Sequence, residues 1–153
     1  MGFFAVHDAD CVFRIETVRK CGRYRCLPFG NSDTLIEMTL DRDHDWIIEI
    51  ECFYLGGVFR EPALKPPDRR SNPELREYHT AVCYEDPTKT RLPCMVNLTR
   101  DELALIFFSK CEPKFYVVHD RVEYYYSSEF DLLYIKVVDL TAEEFAFLNC
   151  FAN

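Results

Sequence analysis

The feature that most constrains the fold is a two-residue alternation of apolar and polar side chains. It is clearest over residues 12–18, 34–40 and 46–54, and clusters of Gly, Asn, Asp and Lys separate these segments. A period of two places successive side chains on opposite faces of a strand, so each segment predicts a half-buried β-strand. Short connections of this composition are typical of an antiparallel sheet.

The second half repeats one local motif. Thr99 and Thr141 each stand three positions before a glutamate, Glu102 and Glu144, and an apolar run follows both. A T-x-x-E pattern of this kind predicts a capping box, so helices are expected over 99–110 and 141–152. A repeated strand-strand-helix unit would explain the pair, and so would two independent helix starts. Strands are predicted before the helices, over 77–86, 92–96, 114–118, 122–126 and 132–138.

These patterns together predict a single α+β domain over residues 1–153. We expect a mainly antiparallel sheet of about six to nine strands with two amphipathic helices packed on one face. The helix residues expected to face the sheet are Leu103, Ile106, Phe107, Phe145, Leu148 and Phe151. Residues 61–77 contain four prolines and eight charges, which predicts a long loop. This loop either crosses between two halves of the sheet or binds a partner.

Charge and hydropathy restrict the surroundings of the chain. With 26 acidic and 18 basic residues the net charge is −8, which repels phosphate backbones and anionic lipids. The apolar run at 103–108 is much shorter than the ~20 residues that span a bilayer, so no membrane role is expected. No secretory signal is recognised at the start, and the eight cysteines contain no C-x-x-C. We therefore expect reduced thiols and a cytoplasmic protein.

Catalytic motifs do not stand out. The five glycines form neither a dinucleotide-binding nor a P-loop pattern, and no H-E-x-x-H or G-x-S-x-G occurs. No cofactor is predicted. An enzyme would need a site that assembles only in three dimensions, for example His79 or His119 beside Cys83, Cys94 or an acid. The sequence leaves that alternative open but favours a protein that is not an enzyme.

Two weak metal patterns are present. Imidazole and thiolate ligands suit zinc, and the nearest approach to a zinc spacing is the set His7, Cys11, Cys21 and Cys26. A zinc-stabilised nucleic-acid-binding protein is therefore an alternative, with the basic stretch of Arg14, Arg19, Lys20, Arg23 and Arg25 around Tyr24 as its contact surface. Clustered carboxylates suit hard cations, so Asp41, Asp43 and Asp45 with Glu49 form a second pattern.

The leading hypothesis is a non-catalytic protein–protein interaction module, such as an inhibitor or an immunity-type antagonist. Its partner would be another protein with a basic surface, because the chain is acidic. Tyrosine is enriched at interaction hot spots, and three consecutive tyrosines in a strand cannot all face one side. The residues predicted to bind the partner are Asp41, Asp43, Asp45, Tyr124, Tyr125 and Tyr126.

Overall fold

The computed structural model describes residues 2–8, 11–17, 22–43, 46–61, 92–107, 111–129 and 131–152, and of residues 2–8 it describes the backbone alone. Within these ranges the chain forms ten strands and one helix. They are β1 (Gly2–Asp8), β2 (Cys11–Glu16), β3 (Tyr24–Gly30), β4 (Leu35–Asp41), β5 (Ile47–Tyr54), β6 (Met95–Leu98), β7 (Leu103–Ile106), β8 (Phe115–His119), β9 (Val122–Tyr126), β10 (Leu132–Val137) and α1 (Ala142–Phe151).

The strands form two antiparallel sheets of five strands each. The first has the order β1-β2-β5-β4-β3 and the second the order β6-β7-β10-β9-β8, so both halves of the chain follow one strand order. In each sheet three consecutive strands pair in turn, and the strand that precedes them lies beside the last, which is a Greek-key order. The prediction of one sheet covered by two helices is therefore wrong. The repeated unit is a five-stranded sheet and not a strand-strand-helix unit.

Alternating sequence builds the first sheet as expected. Ile15 on β2 and Met38 on β4 both lie opposite Ile50 on the central strand β5, and all three side chains are buried. On each strand the residues that alternate with these point to the other face, where polar side chains stay in contact with water. The strands predicted over 12–18, 34–40 and 46–54 are confirmed, and every observed boundary lies within two residues of the predicted one.

The first predicted helix, over 99–110, is wrong where the chain is described. Residues 103–106 form strand β7, and all four side chains are buried. Leu103 and Leu105 pack in the main core, while Ala104 and Ile106 pack in a smaller cluster on the opposite face. An apolar run that is buried on both faces carries no period, and such a run fits a central strand as well as a helix.

The two sheets share the main core. Buried residues from both halves of the chain belong to one cluster, and the rings of Phe29 and Phe107 meet edge to face at 5.0 Å between centroids. Two backbone contacts also join the halves. Leu92 exchanges hydrogen bonds with Pro28 and Gly30, and Phe59 exchanges them with Val96 and Leu98. The two sheets consequently enclose one apolar interior.

Helix α1 confirms the second predicted helix and its capping box. Thr141 Oγ1 accepts a hydrogen bond from the Glu144 N–H, and the Glu144 carboxylate accepts one from the Thr141 N–H. Arg121, at the β8–β9 turn, donates two further bonds to that carboxylate. Leu148 is buried in the core, whereas Phe151 is 47% exposed.

Several predictions fall on parts of the chain that are not described. The strand over 77–86 lies there entirely, and so does nearly all of the proline-rich loop at 61–77. No helix in the described ranges combines the length and the apolar character that crossing a membrane requires.

The strand assignment of residues 103–106 is testable with Ala104→Lys. Ala104 is buried and lies directly opposite Lys136, which is itself buried, so Ala104→Lys would place a second ammonium in the interior beside a like charge. We expect a loss of more than about 3 kcal/mol of unfolding free energy in urea titration, or no folded protein. Ala146→Lys on the exposed side of α1 is the control and should change stability by less than about 0.5 kcal/mol. Equal tolerance of both substitutions would contradict the assignment of residues 103–106 to a buried strand.

The role of Glu144 is testable with Glu144→Gln. Hydrogen bonds from Arg121 are the main reason that the pKa of Glu144 is lowered, so ionised Glu144 stabilises the folded state at pH 7. We expect the variant to lose about 1–2 kcal/mol in urea unfolding at pH 7. As the pH falls below the ordinary glutamate pKa of 4.5 and through the lowered value, wild type loses this contribution and the two proteins converge.

The control for this experiment is Glu143→Gln. Glu143 is an exposed neighbour in the first turn of α1, so it shares the helix dipole but not the partner. It should lose less than half as much. An equal loss in both variants would mean that the charge at the helix start matters and the contact with Arg121 does not.

Candidate functional site

The outward side of the first sheet carries a set of charged side chains that we call the glutamate face. It consists of Arg14, Glu16, Glu37, Glu49 and Glu51. Three strands supply these residues, and pairing aligns them: Arg14 lies opposite Glu51, which lies opposite Glu37 across the next pair. Glu16 lies opposite Glu49 in the adjoining row. The alternation that buries Ile15 and Ile50 therefore gathers glutamates on the other face.

Arg14 contacts three of the four carboxylates of this face. Its Nε lies 3.0 Å from Glu49 Oε1, its Nη2 donates to Glu51 Oε2 at 3.0 Å, and its Nη1 lies 3.7 Å from Glu16 Oε1. The hydrogen bond to Glu51 is the main reason that the pKa of Arg14 is raised. One guanidinium thus holds three strand positions together.

The face nevertheless keeps an excess of negative charge. Its described residues comprise four carboxylates and one guanidinium, which leaves a net charge of −3. Burial, followed by repulsion from Glu51, raises the pKa of Glu49 despite the nearby Arg14. A raised carboxyl pKa means that the ionised form is disfavoured where it stands. An additional cation placed over this face would lower the free energy of these carboxylates.

The rim of the glutamate face, formed by Tyr24 and Cys26 on the edge strand β3, is less charged. Cys26 on β3 is exposed, and its Sγ lies 3.6 Å from Thr39 Oγ1 on β4. Although the residue is exposed, partial burial of its thiol is the main reason that the pKa of Cys26 is raised, so the thiolate is scarce at neutral pH. Tyr24, two residues before it on the same strand, is 65% exposed. The rim thus adds an accessible aromatic ring to an acidic surface.

The three aspartates predicted to bind a partner are placed differently from one another. Asp41 is buried, and its Oδ1 accepts the Asp43 N–H at 3.0 Å, so it shapes the β4–β5 turn. Asp43 is exposed on that turn, and Asp45 lies outside the described residues. In the described part of the chain no three His, Cys, Asp or Glu side chains are grouped to hold a metal ion.

The three tyrosines predicted to bind a partner lie in the interior. Tyr124 and Tyr126 point into the main core, and Tyr125 points to the smaller cluster on the opposite face of the second sheet. As the alternation requires, their rings divide between the two faces, but none is exposed. They offer no contact area to a partner in this conformation.

Tyr125 belongs to a stack of tyrosines across three strands. Its ring lies 5.3 Å from that of Tyr116 on β8 and 4.2 Å from that of Tyr134 on β10. The Lys136 ammonium lies 5.5 Å from the centre of the Tyr125 ring and 3.6 Å from Glu102 Oε1. Burial, with Glu123 nearby, raises the pKa of Tyr134 to about 12. Tyr134 Oη is buried and makes no hydrogen bond within the described structure.

The predicted zinc ligands are not brought together where they are described. Cys11 lies on β2 and Cys26 on β3, and two strands separate them in the sheet. Three strand spacings amount to about 14 Å, whereas zinc holds each sulfur at about 2.3 Å. The side chain of His7 and all of Cys21 lie outside the described residues.

Two groups of the enzyme hypothesis lie at opposite edges of the second sheet: Cys94 stands directly before β6, and His119 lies on β8. Burial raises the pKa of Cys94 to about 12 and also raises that of Cys52, so both thiols are poor nucleophiles at neutral pH. The His119 ring lies edge-on to Tyr124, with 6.5 Å between centroids. His79 and Cys83 lie outside the described residues.

The described residues of the basic stretch do not form one patch. Arg14 is held on the glutamate face, Arg23 is exposed before β3, and Arg25 is half-buried on β3. The sheet order places β2 and β3 three positions apart, which separates the first cation from the other two. Arg19 and Lys20 lie outside the described residues.

Comparison with known proteins leaves the site to be interpreted from its geometry. No protein-family model matches the chain, and no curated protein sequence matches it significantly.

The sequence contained the signal for the glutamate face. The segments R-I-E, I-E-M and I-E-I-E place Glu16, Glu37, Glu49 and Glu51 at the polar positions of three predicted strands. Of these four, only Glu49 belonged to a predicted site, the hard-cation pattern, because the periodicity of single strands does not specify which strands pair and so which polar positions lie side by side.

The tyrosine stack provides a matched pair of substitutions. Tyr134→Phe removes a buried hydroxyl that makes no hydrogen bond in the described structure, so we expect stability to stay level or rise by up to about 1 kcal/mol. Tyr125→Phe removes a hydroxyl that donates to Glu123 at 3.2 Å and should cost about 1 kcal/mol. Urea unfolding of both variants at pH 7 tests this. A larger loss for Tyr134→Phe than for Tyr125→Phe would contradict the described hydrogen bonding.

Proposed function

We propose that the protein is a non-catalytic protein-interaction module that binds a basic surface of another protein through the glutamate face. The single observation that carries the proposal is the excess of three carboxylates over the one arginine on the outward side of the first sheet. Inhibitors and immunity-type antagonists are interaction modules of this kind.

The physical argument starts from the energy of the unbound face. Glu49 and Glu51 repel each other, and burial adds to the cost of keeping Glu49 ionised. A guanidinium or ammonium from a partner would offset this repulsion, and it would add charge-assisted hydrogen bonds. The excess of acid also matches the net charge of −8 of the whole chain, which speeds association with a basic protein.

The rigidity of the face supports the same function. Its charged residues stand on three paired strands whose other sides are buried, so they are held in place before a partner arrives. A preorganised surface loses less conformational entropy on binding than a flexible one. Tyr24, exposed at the rim, adds the type of side chain that is enriched in interaction hot spots.

The proposal includes a cytoplasmic setting. In the described residues six cysteines carry free thiols, three of them buried, and reduced thiols are what the cytosol maintains. It also includes no nucleic-acid partner, because phosphates would be repelled by the glutamate face.

The proposal is tested with a fluorescein-labelled octa-arginine peptide as a basic probe at low ionic strength. Glu37→Gln/Glu51→Gln removes two charges from the glutamate face and should weaken binding by about tenfold, measured by fluorescence anisotropy. Arg14→Gln removes the competing cation and should strengthen binding several-fold. Because the contact is electrostatic, added salt should reduce both differences.

Glu112→Gln/Glu129→Gln is the matched control. Both residues are exposed outside the first sheet, and the double variant changes the net charge by the same amount. It should bind like wild type. Equal weakening in both double variants would show that net charge alone attracts the probe, and it would overturn the assignment of the glutamate face. Urea midpoints of all variants verify that each is folded.

A further inference from the structure

We draw no further inference here: the strongest candidate, the cluster of Lys136, Glu102 and Tyr134 on the outer face of the second sheet, leaves Glu102 Oε2 and Tyr134 Oη without a hydrogen bond in the described structure, but nothing shows what covers that face or which ligand it would take.

Discussion

The shared apolar interior of the two sheets is the constraint on which the other features of the molecule depend. A five-stranded sheet with one apolar face is not stable alone in water, and here each sheet covers the apolar face of the other. Phe29 and Phe107 meet across that interior, and the backbone contacts of Leu92 and Phe59 fix the two halves to each other. The inward-facing residues of each strand fill this interior, and the residues that alternate with them along the strand therefore point outward.

The outward faces of the two sheets differ in chemistry although their strand order is the same. The first sheet presents carboxylates around Arg14, whereas the second buries a stack of tyrosines with Lys136 among them. The same backbone arrangement can therefore carry an accessible charged face and a buried aromatic one. This difference is why the interaction function is proposed for the first sheet.

Much of the strand pattern could be predicted from the sequence. Strands β2, β4, β5, β8, β9 and β10 were predicted close to their observed bounds. For β2, β4 and β5 the reason is that one buried face and one wet face leave a period of two. Strand β10 is buried on both faces, and its apolar and aromatic residues favour a strand by propensity. The capping box of α1 was also predictable, since its hydrogen bonds are made between residues three apart. Strand β7 was not, because burial on both faces removes the period, and the same T-x-x-E pattern occurs before it. Strand β3 was not predicted either. It contains Pro28, whose missing N–H is tolerated because β3 lies at the edge of the sheet.

The sequence by itself determined which residues alternate, where α1 begins and that the chain carries an excess of acid. These properties are local or additive, so they do not depend on which strands pair. Only the tertiary structure decided that the strands form two sheets, that Tyr124, Tyr125 and Tyr126 are buried, and that glutamates from β2, β4 and β5 share one face with Arg14. Strand pairing joins Arg14 to Glu51, which are 37 positions apart, and no local pattern specifies such a pairing.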